Sequence, residues 1–517
     1  MTTPVRDTDP LARDALAVLQ PAFSGTTAPD WLLRRLEHGM TGVGIFGRNV
    51  VSAGQLAHLT GQLRKANPEV LISTDEEGGD VTRLEVHGGS SFPGNHALGS
   101  VDDPELTRAV AAEMGRRLAA CGVNLNWAPS ADVNSNPDNP VIGVRSFGDD
   151  PHLVARHTVA YVEGLQSAGV AACVKHFPGH GDTNVDSHHA LPRIETDLAT
   201  LHARELVPFR AAVAAGTRCV MSAHILLPAL DPGLPGTLSP AVLNGLLRAP
   251  AAEGGLGFDG LIFTDGMEMD AIAAAHGLDR GCVLAIAAGA DALCVGGSPS
   301  DEAEVLRLRD SLVRAVHGGE LAEERLHDAA ERVRALGRWA AGAGPAGAPG
   351  GLPGADGDIG LAAARRALRV TAADGAAPYR PLTDAPYVAA LTPVANIAVG
   401  SETPWGVAAE LRTLLPGTRT GSHTREQTER GGAAGLVADV LAAADGRRIV
   451  AVVRDVHRHP WMAGVLDALL DARPETVVVE MGVPQAPPTG LLHIATHGAA
   501  RVCGRAAAEV IAGSRPV

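Results

Sequence analysis

About eight short apolar runs recur before residue 340, and each is followed by a longer amphipathic stretch. The runs lie at residues 17–20, 43–46, 70–74, 123–127, 170–174, 219–223, 260–264 and 292–295. This alternation is typical of repeated βα units, whose parallel strands are buried on both faces. Eight units of this kind predict a (β/α)₈ barrel of the TIM type.

Polar residues stand at or just after the ends of five of these runs. They are Asp75, Asn126, His176, His224 and Asp265. In a barrel, the carboxyl ends of all strands meet at one face, and this face carries active sites. In an open doubly wound sheet the same residues would be spread along an edge. Because residues that act together must lie close together, these positions favour the barrel.

The chain is expected to contain two domains. Residues 1–339 form the predicted catalytic barrel, residues 340–360 a linker rich in Gly, Ala and Pro, and residues 361–517 a smaller α/β sandwich domain. Strands of the smaller domain are predicted at 387–391, 449–453, 476–479 and 492–496, and helices at 405–415 and 435–443. Its charged residues are scattered, so we expect the chemistry in the first domain.

The composition favours a small-molecule partner. The 517-residue chain is 45% hydrophobic and has a net charge of −15, without basic blocks. These features argue against nucleic acid or an anionic membrane as a partner. We expect neither a signal peptide in residues 1–10 nor a membrane-spanning segment. The six cysteines form no Cys-x-x-Cys pair, so we expect reduced thiols and a cytoplasmic location.

Residues 175–192 are unusually polar for a segment that follows a buried strand. They include four histidines, two aspartates and Lys175, which is one of only two lysines in the chain, the other being Lys65. Recurrent Gly and Pro predict an irregular loop. A compact ammonium with rotatable donors suits sugar hydroxyls. The alternative is that Lys175 merely caps the end of the strand.

Three residues are candidates for catalysis. Asp265 follows a buried strand and precedes a glycine, which suits a rigidly held carboxylate nucleophile. It could instead cap a helix starting near residue 267. Asp186 and His188 are two residues apart, so the carboxylate could orient the imidazole for proton donation and removal.

Two alternatives remain open at this point. His176 and His180 have the i, i+4 spacing of zinc ligands on a helix, but Pro178 and Gly179 interrupt any helix between them. We therefore expect no metal and no cofactor. The second alternative is a non-catalytic sugar-binding or sensory protein, which would need the polar ring but no proton donor.

Residues 175–192 closely resemble the signature of glycoside hydrolase family 3, in particular its β-N-acetylglucosaminidase branch. The same resemblance extends to residues 42–49, 75–79, 123–129, 141–148 and 220–224. It covers almost the whole first domain, and the second domain resembles the family's α/β sandwich less specifically. One departure is Asp80, where the family commonly has Arg after Glu-Gly-Gly. We expect that Arg83 could substitute near the mouth of the site.

The resemblance implies roles for individual residues. Asp265 would be the nucleophile, and His188, oriented by Asp186, would be the acid/base. The positions that would bind the sugar ring are Asp75, Arg145, Lys175 and His176, and His224 is a further substrate-binding candidate.

The resemblance also implies a function. It predicts a cofactor-free, retaining exo-β-N-acetylglucosaminidase. Because we expect a cytoplasmic protein without an export signal, its substrates should be imported saccharides, either chitobiose-type sugars or cell-wall fragments with an anhydro-muramic sugar. A family-3 β-glucosidase, against which the histidine dyad argues, and an N-acetylglucosaminide phosphorylase are the alternative enzymes. The aglycone, the oligomeric state and the role of the second domain stay open.

Overall fold

The structure, a computed structural model, describes residues 9–186, 191–343, 358–373, 379–394, 399 and 402–514. The chain forms two compact units. Unit 1 comprises Met1–Glu77, Pro104–Ile142 and Gly148–Asp356, and unit 2 comprises Gly78–Asp103, Gly143–Phe147 and Gly357–Val517. Two stretches of the N-terminal region therefore belong to the same unit as the C-terminal region. Residues 344–357 of the predicted linker lie outside the described residues.

The described residues of unit 1 form eight strands. They are β1 (Leu19–Pro21), β2 (Gly42–Ile45), β3 (Leu71–Thr74), β4 (Leu125–Asn126), β5 (Ala171–Phe177), β6 (Cys219–Ser222), β7 (Leu261–Thr264) and β8 (Leu293–Val295). Strands β2 to β7 pair in chain order, β1 pairs with β8, and every pairing is parallel. A parallel bridge between Phe263 and Ala292 links β7 to β8. The predicted (β/α)₈ barrel is confirmed.

Helices alternate with these strands in unit 1. Their bounds are Pro10–Ala17, Asp30–Glu37, Ala53–Ala66, Pro104–Ala120, Pro151–Ser167, Leu198–Thr200, Leu206–Ala214, Asp270–His276, Leu278–Ala288, Glu302–His317 and Glu323–Ala343, with π-helical turns at Leu201–Glu205 and Ala241–Arg248. Local chemistry sets their starts: Asp150, for example, accepts the N–H of His152 at 2.9 Å, and Pro151 occupies the first turn.

One test of the helices concerns membrane crossing. Within the described ranges, no single helix is both long and apolar enough to span a bilayer. The sharply bent pair Asp270–His276 and Leu278–Ala288, taken together, is long and apolar enough.

The barrel interior is closely filled by side chains from alternate strand positions. Trp127 belongs to its core cluster, with its ring centroid 5.9 Å from that of Phe46 and 5.5 Å from that of Phe263. Val333 and Leu336 of the helix Glu323–Ala343 join the same core cluster. Because the strands are buried on both faces, most of their residues are apolar, which explains why continuous apolar runs predicted them.

A buried ion-pair network lies just before β8. Asp291 is fully buried and accepts hydrogen bonds from the guanidinium groups of Arg248 and Arg325, the latter at 2.6 Å. It also accepts the backbone N–H of Ile262 at 2.8 Å. This carboxylate therefore ties β7 and β8 to two helical elements outside the barrel.

We expect Asp291→Ala to lower the free energy of unfolding by about 3–5 kcal/mol, because it leaves two arginines without their buried counter-charge. Chemical denaturation would measure the change. The matched control is Asp328→Ala, whose half-exposed carboxylate pairs with Arg325 and Arg332 and should contribute no more than about 1 kcal/mol. Similar losses in both variants would contradict the assignment.

In the part of unit 2 that the structure describes, six strands form one sheet. Its strands are β9 (Arg369–Ala372), β10 (Tyr387–Leu391), β11 (Arg419–His423), β12 (Ile449–Val453), β13 (Val477–Glu480) and β14 (Leu492–Ala495). The order is β11-β10-β12-β13-β14-β9, and only β9 is antiparallel to its neighbour. The four strands predicted from sequence, β10 and β12 to β14, are confirmed.

Helices cover both faces of this sheet. The helices of unit 2 are Asn95–Val101, Ile359–Ala367, Ala408–Leu414, Arg425–Ala444, Pro460–Ala472 and Arg501–Ile511. Adjacent residues of β12 point to opposite faces, so Val450 and Val452 belong to one apolar cluster and Ala451 and Val453 to the other. The expectation of a smaller α/β sandwich is confirmed.

Candidate active site

Lys175 lies in β5 and holds two carboxylates together. The strand continues to Phe177, so the expectation that Lys175 and His176 mark the end of the strand is wrong. The Lys175 ammonium is 2.6 Å from Asp75 Oδ1 and 2.7 Å from Glu77 Oε1. Its side chain is only 3% exposed, so a cation at this position needs such partners. Lys175 therefore neutralises the acidic segment that follows β3.

The Glu77 contact was not expected from the sequence, although Asp75 and Glu77 are two residues apart and face the same way in an extended chain. Asn126 of β4 fixes the segment between them. Its Oδ1 accepts the N–H of Glu76 at 2.9 Å, and its Nδ2 donates to the Glu76 carbonyl at 2.7 Å. Asn126 therefore sets the backbone that presents both carboxylates to Lys175.

Asp132 is a second residue that sequence reasoning missed, and it organises the histidines. Its fully buried carboxylate accepts the Nδ1–H of His176 at 2.7 Å and the backbone N–H of the same residue at 3.2 Å. It also accepts the N–H of His180 at 2.7 Å and the hydroxyl of Ser130 at 2.8 Å. Burial acts to raise the pKa of Asp132, but His176 and His180 hold it well below its usual value.

The protonation state of His180 at neutral pH differs from that of a proton donor. Burial and then the neighbouring His176 lower the pKa of His180 to about 4, so it is neutral at neutral pH. The two rings meet edge to face with centroids 6.0 Å apart. Among the described residues, no group of three or more His, Cys, Asp and Glu side chains is arranged to hold a metal ion.

Asp265 directly follows β7 and is partly exposed. Its Oδ1 accepts the N–H of Gly266 at 2.8 Å, and its own N–H donates to the Ser222 carbonyl at 3.2 Å. The next helix begins at Asp270 with Met269 at its N-cap, so the alternative that Asp265 caps this helix is wrong. The carboxylate is thus held by strand and turn backbone, as a nucleophile requires.

The buried thiol of Cys294 is influenced by several of these charged groups. Burial raises the pKa of Cys294 well above its usual value, and the carboxylates of Glu268 and Asp265 raise it further. Asp75 acts in the same direction, whereas Lys175 opposes them. Charged groups at the ends of β3, β5 and β7 are therefore close enough to Cys294 of β8 to affect its pKa.

His224 supports the backbone beside Asp265. Its Nε2 lies 2.8 Å from the carbonyl oxygen of Gly266, and a carbonyl can only accept, so Nε2 carries the proton. Its Nδ1 is 2.9 Å from the Thr237 hydroxyl, which in turn is 2.8 Å from that of Ser222. The described contacts are those of a positioning residue, and substrate binding by His224 stays a prediction.

The remaining predicted site residues are placed as follows. Asp186 is partly buried and ends the described part of its segment, and His188 lies outside the described residues. Arg145 belongs to unit 2, where it is buried and its carbonyl accepts the Asn95 amide at 2.7 Å.

Asp80 also lies in unit 2, and it has a specific partner there. Its carboxylate contacts the guanidinium of Arg454 and accepts the N–H of Ala499 at 2.7 Å. Arg83, the expected substitute for the missing family arginine, donates to the neighbouring Thr82 carbonyl at 3.5 Å. The negative charge of Asp80 is therefore balanced by Arg454 of the C-terminal region.

Residues 28–336 match the model of the glycosyl hydrolase family 3 N-terminal domain. The chain belongs to glycoside hydrolase family 3. It is 38% identical over 274 residues to a β-hexosaminidase of Xylella fastidiosa (strain M12), which covers 52% of this chain and 78% of that protein. The sequence expectation of a family-3 glycoside hydrolase is confirmed.

Two further similarities extend the comparison. The chain is 32% identical over 348 residues to β-hexosaminidase A of Pseudoalteromonas piscicida, covering 63% of this chain but only 56% of that relative's length. The structure is similar to that of a family-3 β-N-acetylglucosaminidase from Paenibacillus sp. str. FPU-7, with a TM-score of 0.84 and 34% identity. This likeness covers 99% of this chain and 98% of the other.

We expect Asp132→Asn to lower kcat/KM for an aryl glycoside by roughly 100-fold. The amide would place N–H groups against the His176 ring and shift the ring, and a misplacement of about 1 Å can lower the rate by about 100-fold. Steady-state kinetics would measure the loss. The control Ser130→Ala keeps the carboxylate and three of its hydrogen bonds, so its kcat/KM should change only a few-fold. An unchanged kcat/KM in Asp132→Asn would show that His176 needs no such support.

Proposed function

We propose that this family-3 hydrolase is a retaining exo-β-N-acetylglucosaminidase that removes terminal β-linked N-acetylglucosamine from small saccharides. The observation that carries the proposal is the Asp265 carboxylate, partly exposed at the end of β7 and held by backbone groups. The sugar is supported by the relatives, which are named β-hexosaminidases and a β-N-acetylglucosaminidase.

In the proposed mechanism, Asp265 attacks the anomeric carbon and forms a covalent glycosyl-enzyme. The aglycone leaves as its oxygen is protonated, and water then attacks the same carbon from the opposite face. Two inversions give net retention. A carboxylate suits the first step because it is ionised at neutral pH and fixed close to the reacting carbon.

The proton donor in this proposal is His188, with Asp186 orienting its ring. A histidine titrates near neutrality, so the same ring can protonate the leaving group and then accept a proton from water. His180 is a poor substitute because its pKa of about 4 leaves it neutral in the working range.

Sugar binding is assigned to Asp75, Lys175, His176 and Arg145. The support for three of them is their position at the ends of β3 and β5, where Lys175 contacts the Asp75 and Glu77 carboxylates and His176 contacts the Asp132 carboxylate. Carboxylate, ammonium and imidazole groups fixed in this way can pair with hydroxyl groups whose orientation defines the sugar.

We further propose a cytoplasmic enzyme acting on imported saccharides. All six cysteines are free and buried, which suits a reducing compartment. Both chitobiose-type disaccharides and cell-wall fragments with an anhydro-muramic sugar fit the requirement for a terminal N-acetylglucosamine.

Water is the proposed acceptor. Its concentration is about 55 M against millimolar phosphate, so phosphate would need at least about 5 kcal/mol of preferential stabilisation to compete. Incubating the enzyme with chitobiose in phosphate buffer separates the two, because phosphorolysis yields N-acetylglucosamine 1-phosphate. If N-acetylglucosamine 1-phosphate were the main product, the enzyme would be a phosphorylase and not a hydrolase.

The experiment that tests the function compares 4-nitrophenyl β-N-acetylglucosaminide with the matched β-glucoside, using the full chain and Asp265→Ala as the background control. The acetamido sugar should be the far better substrate by kcat/KM, and NMR should show that the β-anomer is released first. Preference for the glucoside would favour the β-glucosidase alternative, and release of the α-anomer would exclude retention.

We expect His188→Ala to lose far more activity on chitobiose than on 4-nitrophenyl N-acetylglucosaminide, because a nitrophenolate leaves without protonation. The loss on the disaccharide should be about 100-fold or more, within the range of general acid catalysis. His189→Ala, at the adjacent histidine, is the matched control. Equal losses on both substrates would mean that His188 is not the acid.

A further inference from the structure

We propose that Arg204 is a positioning residue for the acid/base step, an inference that rests on the function proposed for His188. Arg204 lies outside the motifs that identified the site. It joins the two ends of the segment from Asp182 to Thr196, which contains both Asp186 and His188. We refer to Asp182, Thr196, Arg204 and Glu205 as the segment clamp.

The first observation is a three-way contact. Arg204 Nη2 donates to Asp182 Oδ2 at 2.6 Å and to the Thr196 hydroxyl oxygen at 3.3 Å. The Thr196 hydroxyl itself donates to Asp182 Oδ2 at 3.3 Å. Two residues that are fourteen positions apart in sequence are therefore joined through one guanidinium.

The second observation is that Arg204 is itself oriented. Its Nε donates to Glu205 Oε1 at 2.5 Å, and the Glu205 side chain is only 1% exposed. A Cβ atom added at Gly179 would lie 2.8 Å from Glu205 Oε2, so the backbone beyond β5 packs directly on this carboxylate. A planar guanidinium can satisfy both sides at once, whereas a lysine is a single point charge.

The third observation is that each leg of the segment is anchored separately. Asn139 Nδ2 donates to the carbonyls of His180 and Gly181 at 2.9 and 3.0 Å, which fixes the outgoing leg. The returning leg pairs with Leu226, which donates to the Pro192 carbonyl at 2.8 Å and accepts from Ile194 at 3.0 Å. The clamp connects one leg to the other.

This arrangement predicts which kinetic step depends on the clamp. A proton donor must lie within hydrogen-bond reach of the leaving oxygen, and small displacements are costly. The Asp182 and Arg204 side chains are 35% and 26% exposed, so their ion pair contributes little to global stability. Loss of the clamp should therefore appear in proton transfer before it appears in folding.

The test uses Arg204→Met and Asp182→Ala, the second of which leaves the Arg204–Glu205 pair intact. For both, kcat/KM on chitobiose should fall roughly 10- to 100-fold, while kcat/KM on 4-nitrophenyl N-acetylglucosaminide should stay within about 3-fold. The matched control is Arg193→Met, which removes an exposed arginine that pairs with Glu195 within the same leg. It should change neither value.

Combination with His188→Ala completes the test. If the clamp acts through this histidine, Arg204→Met should add no further loss on chitobiose in the His188→Ala background. Additive losses, equal losses on both substrates or no loss would each overturn the proposal. Asp182→Ala, checked by thermal unfolding, decides the outcome if Arg204→Met folds poorly.

The same data separate this inference from the proposed function. If His188→Ala shows the dependence on leaving group and the clamp variants do not, only the clamp is wrong. If His188→Ala shows no such dependence, the acid/base assignment is wrong and the clamp proposal falls with it.

Discussion

The hydrogen bonds to the buried carboxylate of Asp132 hold the histidine-bearing end of β5 in place. Burying a charge is costly unless donors replace the lost water, and here two backbone N–H groups, one ring N–H and one hydroxyl do so. Because His176 donates through Nδ1, its Nε2 is left unprotonated in the neutral ring. One carboxylate thus fixes both the backbone and the tautomer.

Charge balance is the second constraint on this site. Asp75, Glu77, Asp265 and Glu268 are four carboxylates near the ends of the barrel strands, and Lys175 is within 2.7 Å of two of them. Without this cation, the first two carboxylates would repel each other in a poorly solvated region. The local charge balance around these carboxylates therefore depends on Lys175.

Sequence patterns predicted the strands well because burial on both faces makes them apolar, and they failed where the signal was tertiary. The apolar pattern ends the strand before Lys175 because the carboxylates that compensate this lysine are about a hundred residues away in sequence. Asp132 was missed because nothing in its local sequence indicates a histidine partner. Strands β9 and β11 were missed because they lie at the edges of their sheet and are largely exposed. The membership of Gly78–Asp103 in unit 2 likewise depends on distant contacts.

Asp265 is the residue proposed to form the covalent glycosyl-enzyme. The most direct measurement is to trap the enzyme with a slow, fluorinated N-acetylglucosaminyl donor, digest it and locate the added sugar by mass spectrometry. If Asp265 is the nucleophile, there should be one label, on the peptide containing Asp265, and no label in Asp265→Ala. A label on Glu268, Asp75 or another carboxylate, with Asp265→Ala still labelled and active, would contradict it.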